Sequence, residues 1–387
     1  GHSAGDNFLY EVSQRLSKTI REYDLLARIG GDEFVILLDR IVHLDDAKDV
    51  ASRIVDEMQK PFRLKNQEMF SGASVGIATW RDETDTVERL LRDADAAMYQ
   101  AKSQGRSCYV VFDETIRDGL VAAVNKETAL RLAQINHDFT LWMQPIQDLT
   151  GGKAAGHELL LRWQKGDKLL TPPDFMDLAE RSGSILDIDR WSVECVSEYI
   201  LATEKAGQAL TPIHMNLSVQ HLLRSRHVQS LIDIVQSRGV NPARMVFEFA
   251  ESDILSVTPK RVQASLRRLS SYGFKLALDD FGRSSGPLQL LYNFPFDIIK
   301  LDENFVRQIN KKPRAQAMVR HVVTLCKELE IQLTAEGVET EKQLKALKGL
   351  GVFFGQGTLL ADVKPWQGET STEVEQGESA TQTPSVG

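Results

Sequence analysis

Short apolar runs alternate with amphipathic helical stretches over about 235 residues, and this rhythm constrains the fold more than any other feature of the sequence. Between most of the runs the hydrophobic period changes to that of a helix, as in residues 187–204, 259–272 and 315–329. Eight strands that alternate with helices predict a parallel, TIM-barrel-like (β/α)₈ barrel. The eight runs are LWMQPI, HELLLRW, PIHMNL, MVFEF, KLALDD, DIIKLD, IQLTAEG and VFFGQG.

The first part of the chain follows a different order of elements. A helical pattern over residues 7–18 precedes two apolar runs around Gly30-Gly31, which predict a β-hairpin. Helices and strands then alternate, which predicts an α+β domain whose first elements are missing. The remaining predicted elements are helices over residues 44–60 and 87–103 and strands over residues 69–79 and 108–112.

Four segments follow from this pattern. A helical stretch after the first domain predicts a connector, and a final region rich in Gln, Glu, Ser and Thr predicts disorder. The predicted segments are the α+β domain (residues 1–114), a helical linker (115–134), the barrel (135–366) and a disordered tail (367–387).

Composition narrows the function classes. The 387 residues are 42% hydrophobic and 26% charged, which argues against a disordered chain and against a disulfide scaffold. The formal net charge of −8 argues against a nucleic-acid partner. Three cysteines without paired spacing indicate a reducing compartment, and there is no apolar run of about 18 residues. We expect a cytoplasmic segment without membrane contact. The sequence does not begin with Met, so we expect a fragment of a longer chain, and the cytoplasmic part of a membrane-anchored protein stays open as an alternative.

Polar side chains occur at or near the carboxyl ends of the barrel strands. In such barrels the reacting groups gather at this face, so residues that are distant in sequence would converge on one mouth. Carboxylates together with an amide oxygen suit Mg²⁺ or Mn²⁺. Any one of these residues alone is better explained as a helix cap or a solvated loop residue. The residues are Glu158, Asn216, Glu248, Asp279, Asp280, Lys300, Glu336 and Gln356.

The adjacent carboxylates Asp279 and Asp280 suggest a site for two cations. Neighbouring carboxylates can bridge two ions and clamp the attacking and leaving oxygens of phosphodiester hydrolysis. Lys300 could orient the attacking water or offset phosphate charge. Glu336 could accept a proton or complete a metal shell.

The barrel segment as a whole resembles the EAL-domain family of cyclic di-GMP phosphodiesterases. Two departures stand out. The name-giving tripeptide is Glu158-Leu159-Leu160 in place of Glu-Ala-Leu, and the loop Arg283–Leu288 replaces the usual Thr-Gly-Tyr-Ser-Ser-Leu. The matching segments are Met143–Pro145, Gly156–Trp163, Asn216–Ser218, Phe247–Ser252, Asp279–Gly282, Lys300–Asp302, Ala335–Glu339 and Gly355–Gly357.

The resemblance implies a homodimeric phosphodiesterase that opens cyclic di-GMP to pGpG with two Mg²⁺ or Mn²⁺ ions in each site. Lys300 and Glu336 would act on the attacking water, and Glu251 would support the loop 283–288. The implied metal ligands are Glu158, Asn216, Glu248, Asp279 and Asp280, and the implied contacts to cyclic di-GMP are Gln144, Arg162 and Gln356.

The hairpin of the first domain carries Gly30-Gly31-Asp32-Glu33-Phe34. Two glycines let a backbone approach a phosphate, although Gly-Gly-Asp-Glu alone is more often an ordinary turn. With Gly1–Asp6, Ser74–Ala78 and Ala94–Arg106, the motif resembles the GGDEF-domain diguanylate cyclases, which implies a ferredoxin/cyclase-like fold.

That second resemblance implies roles for several residues. Asp32 would be a metal ligand and Glu33 a catalytic carboxylate. The segment Arg21–Asp24 matches the family's product-inhibition site at Arg21 and Asp24, and its alternative explanation is an ion pair at a helix end. The family's first strand, with its metal-binding aspartate, would precede Gly1, so we expect no complete cyclase site in this chain. The implied GTP contacts are Asp6, Gly30, Gly31, Lys102 and Arg106.

Two functions remain open at this point. The leading hypothesis is a metal-dependent phosphodiesterase joined to a GGDEF domain that is a cyclase in a longer chain or a GTP-binding regulator. The alternative is a catalytically weak receptor that binds cyclic di-GMP and signals to a partner protein. Receptors of that kind usually lose metal ligands, which are all present here, and this favours hydrolysis.

Overall fold

The computed structural model describes residues 2–64, 67–81, 85–257, 259–284 and 287–366. The chain divides into two compact units, residues 1–126 and 127–387, and the division falls inside one continuous helix. The predicted boundaries at 114 and 134 therefore remain predictions. The tail 367–387, predicted to be disordered, lies outside the described residues.

The first unit contains three two-stranded sheets and four helices within the described residues. The predicted hairpin is present, with Gly30 paired to Glu33 across a turn in which Gly31 has a φ of +50°. A single strand over residues 69–79 was expected, and this is wrong because the small residues of Ser71–Ser74 interrupt it. The elements are α1 (His2–Thr19), β1 (Leu25–Gly30), β2 (Glu33–Leu37), α2 (Leu44–Gln59), β3 (Phe62–Leu64), β4 (Gln67–Met69), β5 (Val75–Ile77), α3 (Val87–Ser103), β6 (Tyr109–Val111) and α4 (Glu114–Ile135).

One face of the hairpin β1–β2 is partly buried and the other is exposed. The partly buried face packs against α1 and α2 in a cluster that includes Leu16, Ile54 and Phe62. On the opposite face Leu25 is 60% exposed and Ile29 is 61% exposed. Helices α1 and α2 are amphipathic, so burial on their inner side and not intrinsic propensity holds the hairpin in place.

The second unit is a closed barrel of eight strands surrounded by helices. Its core lies mainly between the strands and the helices, and a small cluster of Val246, Ala277 and Ile298 fills part of the interior. The elements after α4 are β7 (Phe139–Asp148), β8 (Ala154–Lys165), β9 (Lys168–Leu170), α5 (Pro172–Ser182), α6 (Ile185–Lys205), β10 (Ile213–Asn216), α7 (Ser225–Arg238), β11 (Met245–Ala250), α8 (Glu251–Ser256), α9 (Pro259–Tyr272), β12 (Lys275–Phe281), α10 (Pro287–Asn293), β13 (Ile298–Leu301), α11 (Glu303–Gln308), α12 (Pro313–Glu328), β14 (Gln332–Ala335), α13 (Glu341–Leu350), β15 (Phe354–Gly355) and β16 (Lys364–Pro365).

The barrel differs from the expected all-parallel arrangement at one strand. Strand β7 pairs antiparallel with β8 and with β15, while the strands from β8 through β10–β14 to β15 pair in parallel. Residues 149–153 join β7 to β8, and a connection of this length makes a hairpin because a parallel crossover needs a dozen or more residues. Among the described residues, none of the helices has the length and apolar character that a membrane span requires.

Candidate active site

The strand register brings the predicted residues to the same end of the barrel. Asn216 of β10 is level with Glu248 of β11, and Asp279 of β12 is level with Ala250. Glu336 directly follows β14, and Gln356 directly follows β15. Parallel strands in register place their carboxyl ends at one rim, so these side chains share one mouth.

Lys300 lies at the centre of this group. Its Nζ is 2.8 Å from Oε2 of Glu158, 2.7 Å from Oε2 of Glu248, 2.8 Å from Oε1 of Glu336 and 3.7 Å from Oδ1 of Asp279. The lysine is fully buried, and so is Glu248. A buried ammonium group needs paired charges, and four carboxylates from three other strands and one loop provide them.

The crowded charges shift the pKa values of the group. Burial alone would lower the pKa of Lys300, but Asp279, Glu158, Glu248 and Glu336 raise it well above its ordinary value. Burial, reinforced by the neighbouring carboxylates, raises the pKa of Asp279 to about 7 against the pull of Lys300. Burial also raises the pKa of Glu336 well above its ordinary value. Burial acts on Glu248 in the same direction, but Lys300 and His214 outweigh it and lower its pKa to about 2.

A local irregularity in β12 turns Asp279 and Asp280 toward the same place. Consecutive strand residues normally point to opposite faces. Here the pairing with β13 shifts between Leu278 and Phe281, and Asp280 has a φ of +56°. Asp is one of the few residues that adopts this left-handed conformation readily. The bulge therefore explains how two adjacent carboxylates approach one point.

The donor set fits a divalent cation. Asp279, Asp280 and Glu336 each offer a carboxylate oxygen, and these oxygens lie within 4.8 Å of one another. Hard oxygen donors of this kind match Mg²⁺ and Mn²⁺. Glu158 and Glu248, which were also predicted as ligands, contact Lys300 as Glu336 does, but they are not part of this group of three. The structure thus groups Glu336, predicted to act on water, with the aspartates.

Glu158 links the carboxylates around Lys300 to the predicted substrate contacts. Its Oε1 accepts a hydrogen bond from Nδ2 of Asn216 at 2.9 Å, and its Oε2 accepts one from Nε2 of Gln356 at 2.9 Å. The same Nε2 donates to Oε1 of Gln144 at 2.8 Å. Oε1 of Gln356 is buried and has no hydrogen-bond partner among the described residues.

Arg162 lies farther along β8. Strand alternation places it on the same face as Glu158, and its partner in the register is Thr140 of β7. Its Nη1 donates to the carbonyl of Leu161 at 2.8 Å, and its Cζ lies 6.0 Å from the ring centroid of Trp142. Burial lowers the pKa of this guanidinium. The structure therefore places Arg162 and Gln144 on one surface of the β7–β8 hairpin.

Glu251 holds the segment that follows the two aspartates. Its carboxylate accepts hydrogen bonds from the backbone N–H groups of Gly282 at 2.5 Å and Ser284 at 3.1 Å. Arg283 pairs with Asp280 through Nη1 and Oδ2 at 2.8 Å. The predicted loop 283–288 is described at its two ends, while residues 285 and 286 lie outside the described residues.

Sequence analysis missed His214. Its Nδ1 lies 2.6 Å from Oε1 of Glu248, and its side chain is 3% exposed. An ionised carboxylate only accepts hydrogen bonds, so this contact requires the hydrogen on Nδ1. The available signal was spacing, because His214 precedes Asn216 by two residues on one strand and therefore shares its face.

The predicted nucleotide contacts of the first unit are exposed. Asp32 and Glu33 lie at the hairpin turn, where Arg28 donates from Nε and Nη2 to the carbonyl of Gly31 at 3.0 and 2.7 Å. Asp6, Lys102 and Arg106 are also exposed. Among the described residues, no hydrogen bond or ion pair joins these five side chains to one another.

The predicted inhibitory pair is not an ion pair at a helix end. Helix α1 ends at Thr19, and Oδ2 of Asp24 accepts the backbone N–H of Arg21 at 2.9 Å. The guanidinium of Arg21 donates to the hydroxyl of Tyr23 at 3.0 Å. Arg21 also borders a cleft of about 530 Å³ with three further basic side chains, which sequence analysis had not grouped. The cleft is lined by Arg15, Lys18, Thr19, Ile20, Arg21, Arg53 and Glu57.

Comparison with known families and proteins agrees with this fold. Residues 127–362 match the EAL domain, and residues 1–108 match the family described as "Diguanylate cyclase, GGDEF domain". The chain belongs to the EAL-domain family. Its amino-terminal part is similar to the GGDEF domain, so the fold class predicted from the sequence is confirmed, apart from the direction of β7.

Curated relatives share the same tandem arrangement over most of this chain. The bifunctional diguanylate cyclase/cyclic di-GMP phosphodiesterase MucR of Pseudomonas aeruginosa is 32% identical over 94% of this chain and 53% of its own length. The cyclic di-GMP phosphodiesterase PdeR of Escherichia coli is 32% identical over 94% of this chain and 55% of its own length. The chain thus spans about half the length of these relatives.

A solved structure supports the likeness in three dimensions. The phosphodiesterase part of MucR, determined in complex with cyclic di-GMP, has a TM-score of 0.59 and 29% sequence identity. The alignment of the two structures covers 62% of this chain and 98% of the solved chain. The likeness therefore falls on the barrel unit, where the charged mouth lies.

Proposed function

We propose that the barrel unit hydrolyses cyclic di-GMP to the linear dinucleotide pGpG. The observation that carries the proposal is the carboxylate mouth around Lys300, in which Asp279, Asp280 and Glu336 offer oxygens to one point. The relatives named as cyclic di-GMP phosphodiesterases and the solved complex with cyclic di-GMP support it.

Asp279, Asp280 and Glu336 would hold a Mg²⁺ or Mn²⁺ ion, and Glu158, Asn216 and Glu248 would complete the set of ligands around a second ion. When bound, the ions supply Lewis acidity toward the phosphate and lower the pKa of water. Lys300 keeps the ligand carboxylates together by its charge, because without it their repulsion in a buried site would spread them apart.

Glu336 would accept the proton of the attacking water. Lys300 at 2.8 Å favours the ionised form of this carboxylate, which is the form that accepts a proton. One phosphorus–oxygen bond forms to water and the bond to the ribose 3′ oxygen breaks. The 3′ oxygen takes a proton from solvent and leaves as a hydroxyl group, which opens the ring.

Gln144, Gln356 and Arg162 would position the dinucleotide. The free Oε1 of Gln356 supports a contact to a guanine N–H, and Arg162 supports a contact to phosphate because a guanidinium binds it in a bidentate manner.

For the first unit we propose a GGDEF domain that binds GTP, with Arg21 and the adjoining basic cleft as an inhibitory site for a phosphate-bearing product. We also propose a homodimer.

Product analysis by chromatography tests the proposed reaction. The chain is incubated with cyclic di-GMP and Mn²⁺, and we expect pGpG to accumulate, with none formed after chelation of the metal. Binding of cyclic di-GMP without any pGpG, at high protein concentration, would contradict the proposal and would place the chain in the receptor class.

A further inference from the structure

His214 contacts a carboxylate of the mouth from inside the barrel. On β10 it lies two residues before Asn216, and the register places it level with Val246 of β11 and Glu158 of β8. Val246 belongs to the interior cluster, so the imidazole lies in the layer directly beneath Asn216 and Glu248. Oε1 of Glu248 accepts its Nδ1–H at 2.6 Å, while Oε2 accepts from Lys300 at 2.7 Å.

Both oxygens of Glu248 are therefore fixed by buried donors. Glu248 is fully buried and His214 is 3% exposed, so water does not compete for this hydrogen bond. A carboxylate held at both oxygens has one orientation, whereas a carboxylate held only by a lysine ammonium can rotate about its last torsion. In metal sites, partners that orient a ligand in this way affect affinity strongly.

The neighbouring strand leaves room for this imidazole. Gly156 of β8 faces it, and a Cβ added at Gly156 would lie 3.2 Å from Nε2 and 3.3 Å from Cδ2 of His214. The added atom would also lie 3.3 Å from the carbonyl oxygen of Pro212, which is backbone and cannot move aside easily. Because Gly156 has no side chain, it leaves space for the ring of His214.

We propose that His214 is a positioning residue that orients Glu248 for divalent cation binding, with Gly156 providing the space for its ring. The inference rests on the proposed function, in which Glu248 is a metal ligand. His214 would act on the orientation of the Glu248 carboxylate and not on the reaction itself.

Direct Mn²⁺ binding to the full chain, measured by isothermal titration and by electron paramagnetic resonance, tests the proposal. His214→Leu removes the donor and keeps an apolar side chain of comparable length, and we expect Mn²⁺ affinity to fall by about 10- to 100-fold. His214→Asn can place an amide N–H where Nδ1 lies, so we expect its affinity to stay within about threefold of the wild type. His214→Gln reaches the position of Nε2 instead, so its affinity should fall as in His214→Leu.

Two further variants separate positioning from general damage. Gly156→Ala should push the ring and weaken Mn²⁺ binding by a smaller factor, about threefold. His157→Leu is the matched control, because Nδ1 of His157 contacts Oγ1 of Thr211 at 2.8 Å and makes no contact with the carboxylates of the mouth. We expect its Mn²⁺ affinity to remain unchanged. In the turnover assay, the Mn²⁺ concentration for half-maximal activity should rise in His214→Leu while KM for cyclic di-GMP at saturating Mn²⁺ stays constant.

The outcomes are distinguishable. If the wild-type chain binds Mn²⁺ and hydrolyses cyclic di-GMP, but His214→Leu binds Mn²⁺ within twofold of it, the positioning role is wrong and the proposed function stands. If the wild-type chain binds no Mn²⁺, the proposed function itself fails. Should His214→Leu not fold, the comparison of His214→Asn with His214→Gln decides, and equal affinities in those two variants would overturn the proposal.

Discussion

The barrel mouth and the Gly-Gly-Asp-Glu hairpin both carry adjacent acidic residues, but their surroundings are opposite. At the mouth, Asp279 shares buried contacts with Lys300 and its carboxylate neighbours. On the hairpin, Asp32 and Glu33 are exposed to solvent. Adjacent acidic residues in a sequence therefore do not by themselves make a site. The fold makes one where it buries them around a fixed counter-charge.

The largest contrast should come from one substitution made in both places. Asp279→Asn removes a charged oxygen donor from the mouth, and we expect kcat for cyclic di-GMP hydrolysis to fall by about 10²- to 10³-fold. Asp32→Asn makes the same chemical change on the hairpin and should leave this kcat within about twofold, since exposed substitutions away from a site rarely matter. Steady-state kinetics on both variants check the prediction. Equal losses would break the distinction between the two regions.

A second contrast concerns stability. Lys300→Met leaves several buried carboxylates without their common cation, and we expect the free energy of unfolding to fall by about 3–5 kcal/mol. The control is Lys275→Met. In the unmodified chain, Nζ of Lys275 is 2.6 Å from Oδ1 of Asp297, but the lysine side chain is 51% exposed. That change should cost at most about 1 kcal/mol. Urea unfolding of the metal-free chain measures both, and similar losses would show that burial of Lys300 contributes nothing.

The smallest expected effect lies at the edge of the mouth. Glu251→Gln replaces one of two accepting oxygens by an amide donor, which then faces the N–H of Gly282 or Ser284. We expect kcat to fall by about tenfold, because the loop no longer has a single position beside Asp280. The free energy of unfolding should fall by about 1–3 kcal/mol, because a buried donor is left without an acceptor. A kcat equal to that of the wild type would indicate that the segment after Asp280 has no part in turnover.

The sequence predicted most of the fold because strand and helix periods differ clearly. The runs that became β10 to β14 are mainly apolar and carry polar residues at or near their carboxyl ends, and helices α3 and α9 were predicted to the residue. The direction of β7 was not predictable from its apolar run, since a buried strand looks the same whether it runs parallel or antiparallel. The short turn 149–153 was the available clue.

At the mouth, motif residues could be predicted as a set, but their pairing could not. Nothing in the sequence indicates that Asp279 and Asp280 both approach Glu336, because that depends on the bulge in β12. His214 escaped notice because a single histidine on an apolar strand is more often a core residue than a partner of a ligand. Strand register, which a single sequence does not reveal, places it opposite Val246, two residues before Glu248, and its Nδ1 reaches the Glu248 carboxylate.

One measurement tests the central claim most directly, namely that cyclic di-GMP chemistry resides at the barrel mouth. Formation of pGpG with Mn²⁺ is followed side by side for the wild-type chain, Glu158→Gln and Glu33→Gln. We predict that the wild type and Glu33→Gln form pGpG at the same rate and that Glu158→Gln forms none above background. Normal pGpG formation by Glu158→Gln, or its loss in Glu33→Gln alone, would contradict the account.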